Sequence, residues 1–314
     1  TLKNQISAFV PIMVGCNNYC SYCIVPYVRG KEKSLPVENI LDEIKYLLKN
    51  GVKEITLLGQ NVNSYHSPKF VVHSSELNNK STNDYVNFEQ LLEKIAELKF
   101  QLNNNFWIRF MTNHPKDMNE KIVTLMKNYA NICKHIHLPL QSGSDKILNL
   151  MNRNYTAKKY YELIQMIRDI IPEISITTDL IVGFPSETEE DFMQTYNLVE
   201  KIQFDSAFVF KYSPREGTKA AEFLDDVPKE TKEKRHFKLL SLCESIAKNI
   251  NYKYINKIYQ GLIFEKKEKN TYYARLESNR TVQLNTEKKL ELGNFVNIKV
   301  VDIKKHNLIG TIVD

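Results

Sequence analysis

Three cysteines in Cys16-Asn17-Asn18-Tyr19-Cys20-Ser21-Tyr22-Cys23 are spaced C-x3-C-x2-C directly after an apolar run, and the chain holds only five cysteines in 314 residues. Clustered thiols suit a soft metal centre. A structural zinc site would add a second C-x2-C pair or nearby His ligands, and neither stands beside this cluster. An electron-transfer cluster normally ligates every iron with Cys. Cys133 and Cys243 are distant and isolated, and read as buried small hydrophobes. A cubane iron–sulfur cluster held by three cysteines keeps one iron open to a small molecule. An open iron points to chemistry rather than to electron storage.

Such a loop needs a scaffold. Short β-branched runs predict strands at 9–15, 54–59, 107–112, 135–141, 175–183 and 205–213. Amphipathic runs between them predict helices at 36–50, 87–100, 117–129, 156–170 and 187–201. In the first of these, Ile40, Leu41, Ile44, Leu47 and Leu48 recur at helical spacing and stop before Asn50-Gly51. Strands separated by helices imply an α/β unit with one parallel sheet and right-handed crossovers, either doubly wound or a partial barrel. In both, ligands belong at the carboxyl ends of the strands. The cysteines follow the first strand, at that end.

Residues 66–84, rich in Ser, Asn and Lys, read as a mobile insertion in solvent. A charged helical stretch, 229–251, leaves the α/β unit. Five short strand-like runs at 258–264, 271–276, 280–284, 295–302 and 308–313 then predict a small all-β barrel of a kind that often binds nucleic acid. The expected division is 1–228, 229–251 and 252–314.

Composition narrows the setting. No run of about 18 apolar residues predicts a membrane span. The start Thr1-Leu2-Lys3-Asn4-Gln5 lacks the pattern of a signal peptide. An odd cysteine count with three clustered argues for a reducing, cytoplasmic setting. Net charge is +6, and Tyr252 to Asp314 carries 12 Lys+Arg against 7 Asp+Glu. That excess reads as a solubilising surface or as a face for polyanions, and charge alone leaves both open.

The three-cysteine spacing, with aromatic Tyr22 before the last Cys on a βα-repeat scaffold, resembles the radical S-adenosylmethionine (SAM) superfamily. The stretch Gly15 to Gly30 resembles the opening of its methylthiotransferases. So do Leu58-Gly59-Gln60-Asn61-Val62-Asn63, Leu138-Pro139-Leu140-Gln141-Ser142-Gly143-Ser144-Asp145 and Asp179 to Thr188. Arg109-Phe110-Met111-Thr112-Asn113-His114-Pro115 and Tyr212-Ser213-Pro214-Arg215-Glu216-Gly217-Thr218 resemble the branch acting on isopentenylated tRNA adenosine. The tail resembles a TRAM domain, an OB-like RNA-binding barrel. The resemblance implies a radical SAM partial (β/α)6 barrel followed by that small barrel. It implies that Cys16, Cys20 and Cys23 hold a 4Fe-4S cluster whose open iron chelates SAM. One electron then cleaves SAM to a 5′-deoxyadenosyl radical, with Tyr22 beside the adenine. The implied partners are the tRNA anticodon stem-loop and an electron donor such as flavodoxin or ferredoxin, with no membrane and a monomeric state.

Other residues are read on physical grounds. Gly59-Gln60-Asn61 ends the second strand, where Gly permits close backbone approach and two amides face a SAM carboxylate or ribose. Gln141 and Ser142 end the fourth strand in the same way. Asp179 lies within the fifth, where a cofactor contact and a local structural role stand level. Arg29 and Arg215 suit a SAM carboxylate, a tRNA phosphate or a salt bridge. His114 is a substrate contact or a turn residue. Tyr272, Tyr273 and Arg275 would stack bases or meet phosphate, although Tyr in a small barrel is more often half-buried packing.

Full-length methylthiotransferases also carry an N-terminal domain whose three further cysteines bind a second 4Fe-4S cluster. This sequence shows no such domain before Cys16, and its non-Met start favours a fragment over a degenerate protein. The alternatives kept open are the branch acting on threonylcarbamoyl adenosine and a non-catalytic iron–sulfur RNA-binding module.

Overall fold

Six core strands run parallel: Ser7–Pro11, Glu54–Leu58, Trp107–Phe110, His135–His137, Ser175–Val182 and Ser206–Lys211. They come from a computed structural model that describes residues 5–68, 85–304 and 307–313. The first three form one sheet in sequence order and the last three form another. The expected parallel α/β unit is present, with its ladder divided in two. At the junction, Ile108 N–H donates to Asn131 O at 2.8 Å and Cys133 N–H donates to Ile108 O at 3.0 Å. The ladder then breaks because His135 N–H turns back onto Cys133 O at 2.9 Å.

Capping residues decide where the helices start. Asn87, Asn119, Thr156 and Thr188 each accept a backbone N–H from three residues on, opening Phe88–Gln101, Glu120–Asn128, Ala157–Ile170 and Glu189–Ile202. The third helix therefore begins later than residue 117, since Pro115–Asp117 forms a separate short turn. Val37–Lys49 buries Val37, Ile40, Ile44, Leu47 and Leu48, as its spacing predicts. Two short helices, Val25–Arg29 and Asp145–Leu150, fall below the length at which periodicity can be read.

Local chemistry also shortens two strands. The fourth stops at His137 rather than 141, because Pro139 has no N–H to donate. The first ends at Pro11, after which Met13–Val14 pairs antiparallel with Lys33–Ser34. That ribbon forms the neck of the cysteine loop. Of the expected insertion, His66–Pro68 pairs with Tyr85–Asn87, and 69–84 lie outside the described residues.

The helix Lys229–Tyr252 lies along the sixth strand, with a His236 Nε2 to Val209 O contact of 2.9 Å. Beyond it Ile258–Glu268, Thr271–Leu276, Thr281–Asn285, Phe295–Lys304 and Asn307–Val313 close into a five-stranded barrel. Its own core includes Ile263, Ala274, Val282, Ile298, Val300 and Leu308. Charged groups dock it onto the α/β unit. Glu54, fully buried, accepts from Arg109 Nε at 2.6 Å and from Arg275 Nη1 at 2.5 Å, while Arg280 pairs with Asp205 at 2.8 Å. Among the described residues no helix is long and apolar enough to cross a membrane.

Candidate active site

Cys16, Cys20 and Cys23 sit in the loop between the Met13–Val14 ribbon and helix Val25–Arg29, at the carboxyl end of the first strand. Gly15 starts the loop at φ +81°, and a Cβ there would run into the carbonyl oxygens of Gly30 and Lys31. This is a position for glycine alone. The loop is tied down at several points. Cys16 N–H donates to Gly30 O at 3.1 Å, and Asn17 and Glu32 exchange hydrogen bonds between side chain and backbone. Ser21 N–H and Oγ donate to Met151 O at 3.0 Å and Leu150 O at 2.8 Å.

Cys16 and Cys20 are buried and Cys23 is half-buried. Burial, followed by neighbouring acidic and thiol groups, pushes the Cys16 thiol up, and burial does the same to Cys23. Such thiols become ligands only when a metal or cation compensates the thiolate. Among the described residues no three His, Cys, Asp or Glu side chains converge on a single-ion site. A cubane makes no such demand, because its thiolates bind separate irons.

Buried amide oxygens mark the neighbouring strand ends. Asn18 Oδ1, Gln60 Oε1, Asn61 Oδ1, Asn113 Oδ1 and Gln141 Oε1 have no partner among the described residues. Three orientations are pinned: Asn18 Nδ2 donates to Cys16 Sγ at 3.5 Å, Asn61 Nδ2 to Asp117 Oδ2 at 2.6 Å and Asn113 Nδ2 to His137 O at 2.9 Å. Unpartnered buried acceptors are costly unless something donates to them. A ligand carrying ammonium, hydroxyl and amino donors, as SAM does, fits this set. Asn18 and Asn113 were missed in the sequence reading, because an amide inside a cysteine loop or after a strand carries no pattern of its own.

The predicted contacts divide. Gly59 ends the second strand beside Gln60 and Asn61, and its carbonyl accepts from Thr112 Oγ1 at 2.5 Å. Gln141 holds φ +69°. Ser142 is fully buried and its hydroxyl is engaged by Thr195 Oγ1 at 3.2 Å and by Ser144 N–H, so it braces the Gln141 loop. Gly143 completes that brace, since a Cβ would meet Thr195 Cα at 2.6 Å. Half-buried Tyr22 leans on the apolar cluster of Ile147, Met151, Phe184 and Tyr212. Arg215 and Arg29 are exposed and form no ion pair among the described residues. Arg275 is committed to Glu54, and Tyr272 is buried in the barrel core.

Asp179 faces elsewhere. Its Oδ2 lies 3.2 Å from His137 Nε2, whose Nδ1 is 3.0 Å from Thr177 Oγ1. These groups line a cavity of about 590 Å³ with Met111, Phe208 and Phe210, closed on one side by Ser278–Thr281 of the barrel. Phe208 and Phe210 are 58% and 51% exposed, giving this cavity an apolar wall. A larger cavity of about 880 Å³, between Asn87–Glu93 and Asn119–Leu125, includes none of these residues.

Two buried histidines are neutral. His114 accepts from Lys116 N–H through Nδ1 and is a turn residue, its pKa driven down to about 2 by burial and by Arg153. Burial, Arg109 and His137 take His135 to about 3. The unfolded chain would protonate both near the ordinary 6.5. Stability should therefore fall as pH drops below about 6.5, by about 1.4 kcal/mol per pH unit for each histidine. Burial pushes Glu187 the other way, up to about 7, and this group favours the folded state as pH falls from 7 towards 4.5. Urea unfolding of His114→Asn, which keeps a capping acceptor, isolates one term. Between pH 7.5 and 5.0 its slope should be shallower than wild type by about 1.4 kcal/mol per unit below pH 6.5. An unchanged slope would remove His114 from the balance.

A three-cysteine loop at the ends of parallel strands, faced by donor-seeking amides, defines the class. The chain belongs to the radical SAM superfamily, whose family description matches residues 10–199. Membership implies a 4Fe-4S cluster bound by cysteines together with SAM, and the residues described above fit both. The chain is 44% identical over 99% of its length to the tRNA-2-methylthio-N(6)-dimethylallyladenosine synthase of Caldicellulosiruptor saccharolyticus, and 43% identical to that of Thermodesulfovibrio yellowstonii. It spans 62% and 67% of the lengths of these relatives. In fold it is similar to the radical SAM methyltransferase TsrM of Kitasatospora setae, with a TM-score of 0.53 at 15% identity over 68% of this chain and 38% of that one.

Proposed function

We propose that this chain is the SAM-cleaving and RNA-facing portion of an enzyme that attaches a methylthio group to C2 of N6-dimethylallyladenosine beside the tRNA anticodon. The observation that carries this reading is the 44% identity, spread over 99% of the chain, to an enzyme bearing that name. In this reading Cys16, Cys20 and Cys23 hold the cluster, while Gln60, Asn61 and Gln141 receive the donors of SAM. Tyr22 flanks the ligand, and Gly59, where a Cβ would meet Met13 Cγ at 2.5 Å, lets the end of the second strand close on Met13 beneath it. Cluster and SAM together would supply one-electron cleavage chemistry that no side chain provides. The chain's own part is to orient SAM, exclude water and present the base.

The six core strands read as a partial (β/α)6 barrel and the five-stranded unit as a TRAM domain, divided at 1–228, 229–251 and 252–314. The apolar wall of Met111, Phe208 and Phe210 suits an unstacked adenine with a dimethylallyl group, since burying apolar surface favours binding. A threonylcarbamoyl group would bring a carboxylate against that wall. Arg215 and the basic barrel would meet RNA phosphates. We read the protein as cytoplasmic and monomeric, reduced by a flavodoxin or ferredoxin.

The test uses the chain reconstituted anaerobically with iron and sulfide, then given SAM and dithionite. It should form 5′-deoxyadenosine while leaving prenylated tRNA without a methylthio group, because the chain spans only part of its relatives. Absence of 5′-deoxyadenosine from a loaded chain would favour the non-catalytic RNA-binding module. A methylthio product would show that the chain alone suffices.

A further inference from the structure

Arg153 is 8% exposed and carries a fixed positive charge inside the protein. Among the described residues no carboxylate lies within ion-pair distance of it. Each of its three nitrogens donates: Nε to Tyr155 Oη at 2.9 Å, Nη2 to Pro139 O at 3.0 Å and Nη1 to Cys20 Sγ at 3.4 Å. Tyr155 holds it further, with the guanidinium carbon 5.2 Å from its ring centroid and its hydroxyl near Leu140 O at 3.0 Å. A buried cation without an anionic partner is strongly disfavoured. Of the two groups it touches that can become anionic, the Tyr155 phenol keeps its proton on Leu140 O, which leaves the Cys20 thiol, the more acidic type and the one a metal would deprotonate.

We propose that Arg153 is the buried counter-ion of the cluster ligand Cys20, and that it raises the reduction potential of the bound cluster. The proposal rests on the cysteine assignment above. Hydrogen bonds to ligand sulfurs and local net charge set iron–sulfur potentials. Reduction adds one electron, and a cation beside a ligand sulfur stabilises the more negative form. The rigid clamp of Pro139 and Tyr155 keeps that cation from swinging away. Arg153 is thus a positioning residue that acts through Cys20.

The whole chain, reconstituted with iron and sulfide, is titrated with dithionite and its reduced cluster followed by electron paramagnetic resonance. In Arg153→Gln, which keeps a donor but removes the charge, the reduction equilibrium should fall at least tenfold, or about 59 mV for one electron. Arg153→Lys, which keeps the charge but cannot form the fork, should fall between wild type and Arg153→Gln. Equal iron content and an unchanged potential in Arg153→Gln would overturn the proposal while leaving the cysteine assignment intact. If Arg153→Gln does not fold, Arg153→Met is the second charge-removing variant, and a wild-type potential there overturns it. Failure of the wild-type chain to take up a cluster would overturn the cysteine assignment and this proposal with it.

Discussion

Cys20→Ala is expected to reduce both cluster content and 5′-deoxyadenosine formation to background. Two thiolates would leave two irons of a cubane without protein ligands, and thiolates are what hold such clusters. The loss is compounded at Arg153, whose Nη1 donates to Cys20 Sγ at 3.4 Å and would face an alanine methyl instead. Iron content and visible absorbance after reconstitution measure the first effect, and chromatography of the SAM products measures the second. Cys243→Ala is the control. Cys243 is buried against the main core from helix Lys229–Tyr252, away from the loop, so both readouts should survive. Wild-type cluster content in Cys20→Ala would remove Cys20 from the ligand set.

Arg109→Met is expected to destabilise the chain by about 3–5 kcal/mol, the cost of leaving a buried charge without its partner. Glu54 is fully buried at the start of the second strand. Burial works against its charge, yet Arg109 and Arg275 together hold the carboxyl below its ordinary range. Arg109 also donates to Leu276 O at 2.7 Å and Glu277 O at 2.9 Å, tying the third strand to the barrel. Methionine fills similar space but satisfies none of these groups. Urea unfolding should show the loss, and Glu54→Leu combined with Arg109→Met should cost less than the two single changes added together, because the residues share one network. A loss below about 1 kcal/mol for Arg109→Met would mean that Arg275 alone satisfies Glu54.

Arg109 also shows where sequence reading stopped. Within Arg109 to Pro115 it reads as part of a motif for a tRNA-modifying branch, and its side chain proves to be an interior latch. His114, in the same segment, is buried and caps the turn that follows through Nδ1. Ser142 braces a loop, and Asp179 faces the cavity with His137. In each case the residue type suggested chemistry, and burial and partners show what the side chain touches. Arg153 is the opposite case. It follows a helix too short to show periodicity, and the acceptor that gives it meaning, Cys20, lies 133 positions away.

The cysteine loop, the alternation of strand and helix, the core face of Val37–Lys49 and the five strand segments of the barrel were all legible in the sequence. Each depends on spacing within a few residues, or on periods of two or 3.6 that the backbone imposes. Tertiary structure alone decided the split into two three-stranded sheets, the unpartnered amide oxygens in the cysteine loop and after the strand ends, the apolar cavity wall and the Glu54–Arg109–Arg275 latch. These arise between segments far apart in the chain, where hydrogen-bond partners and exclusion of water are set by packing rather than by neighbours in sequence.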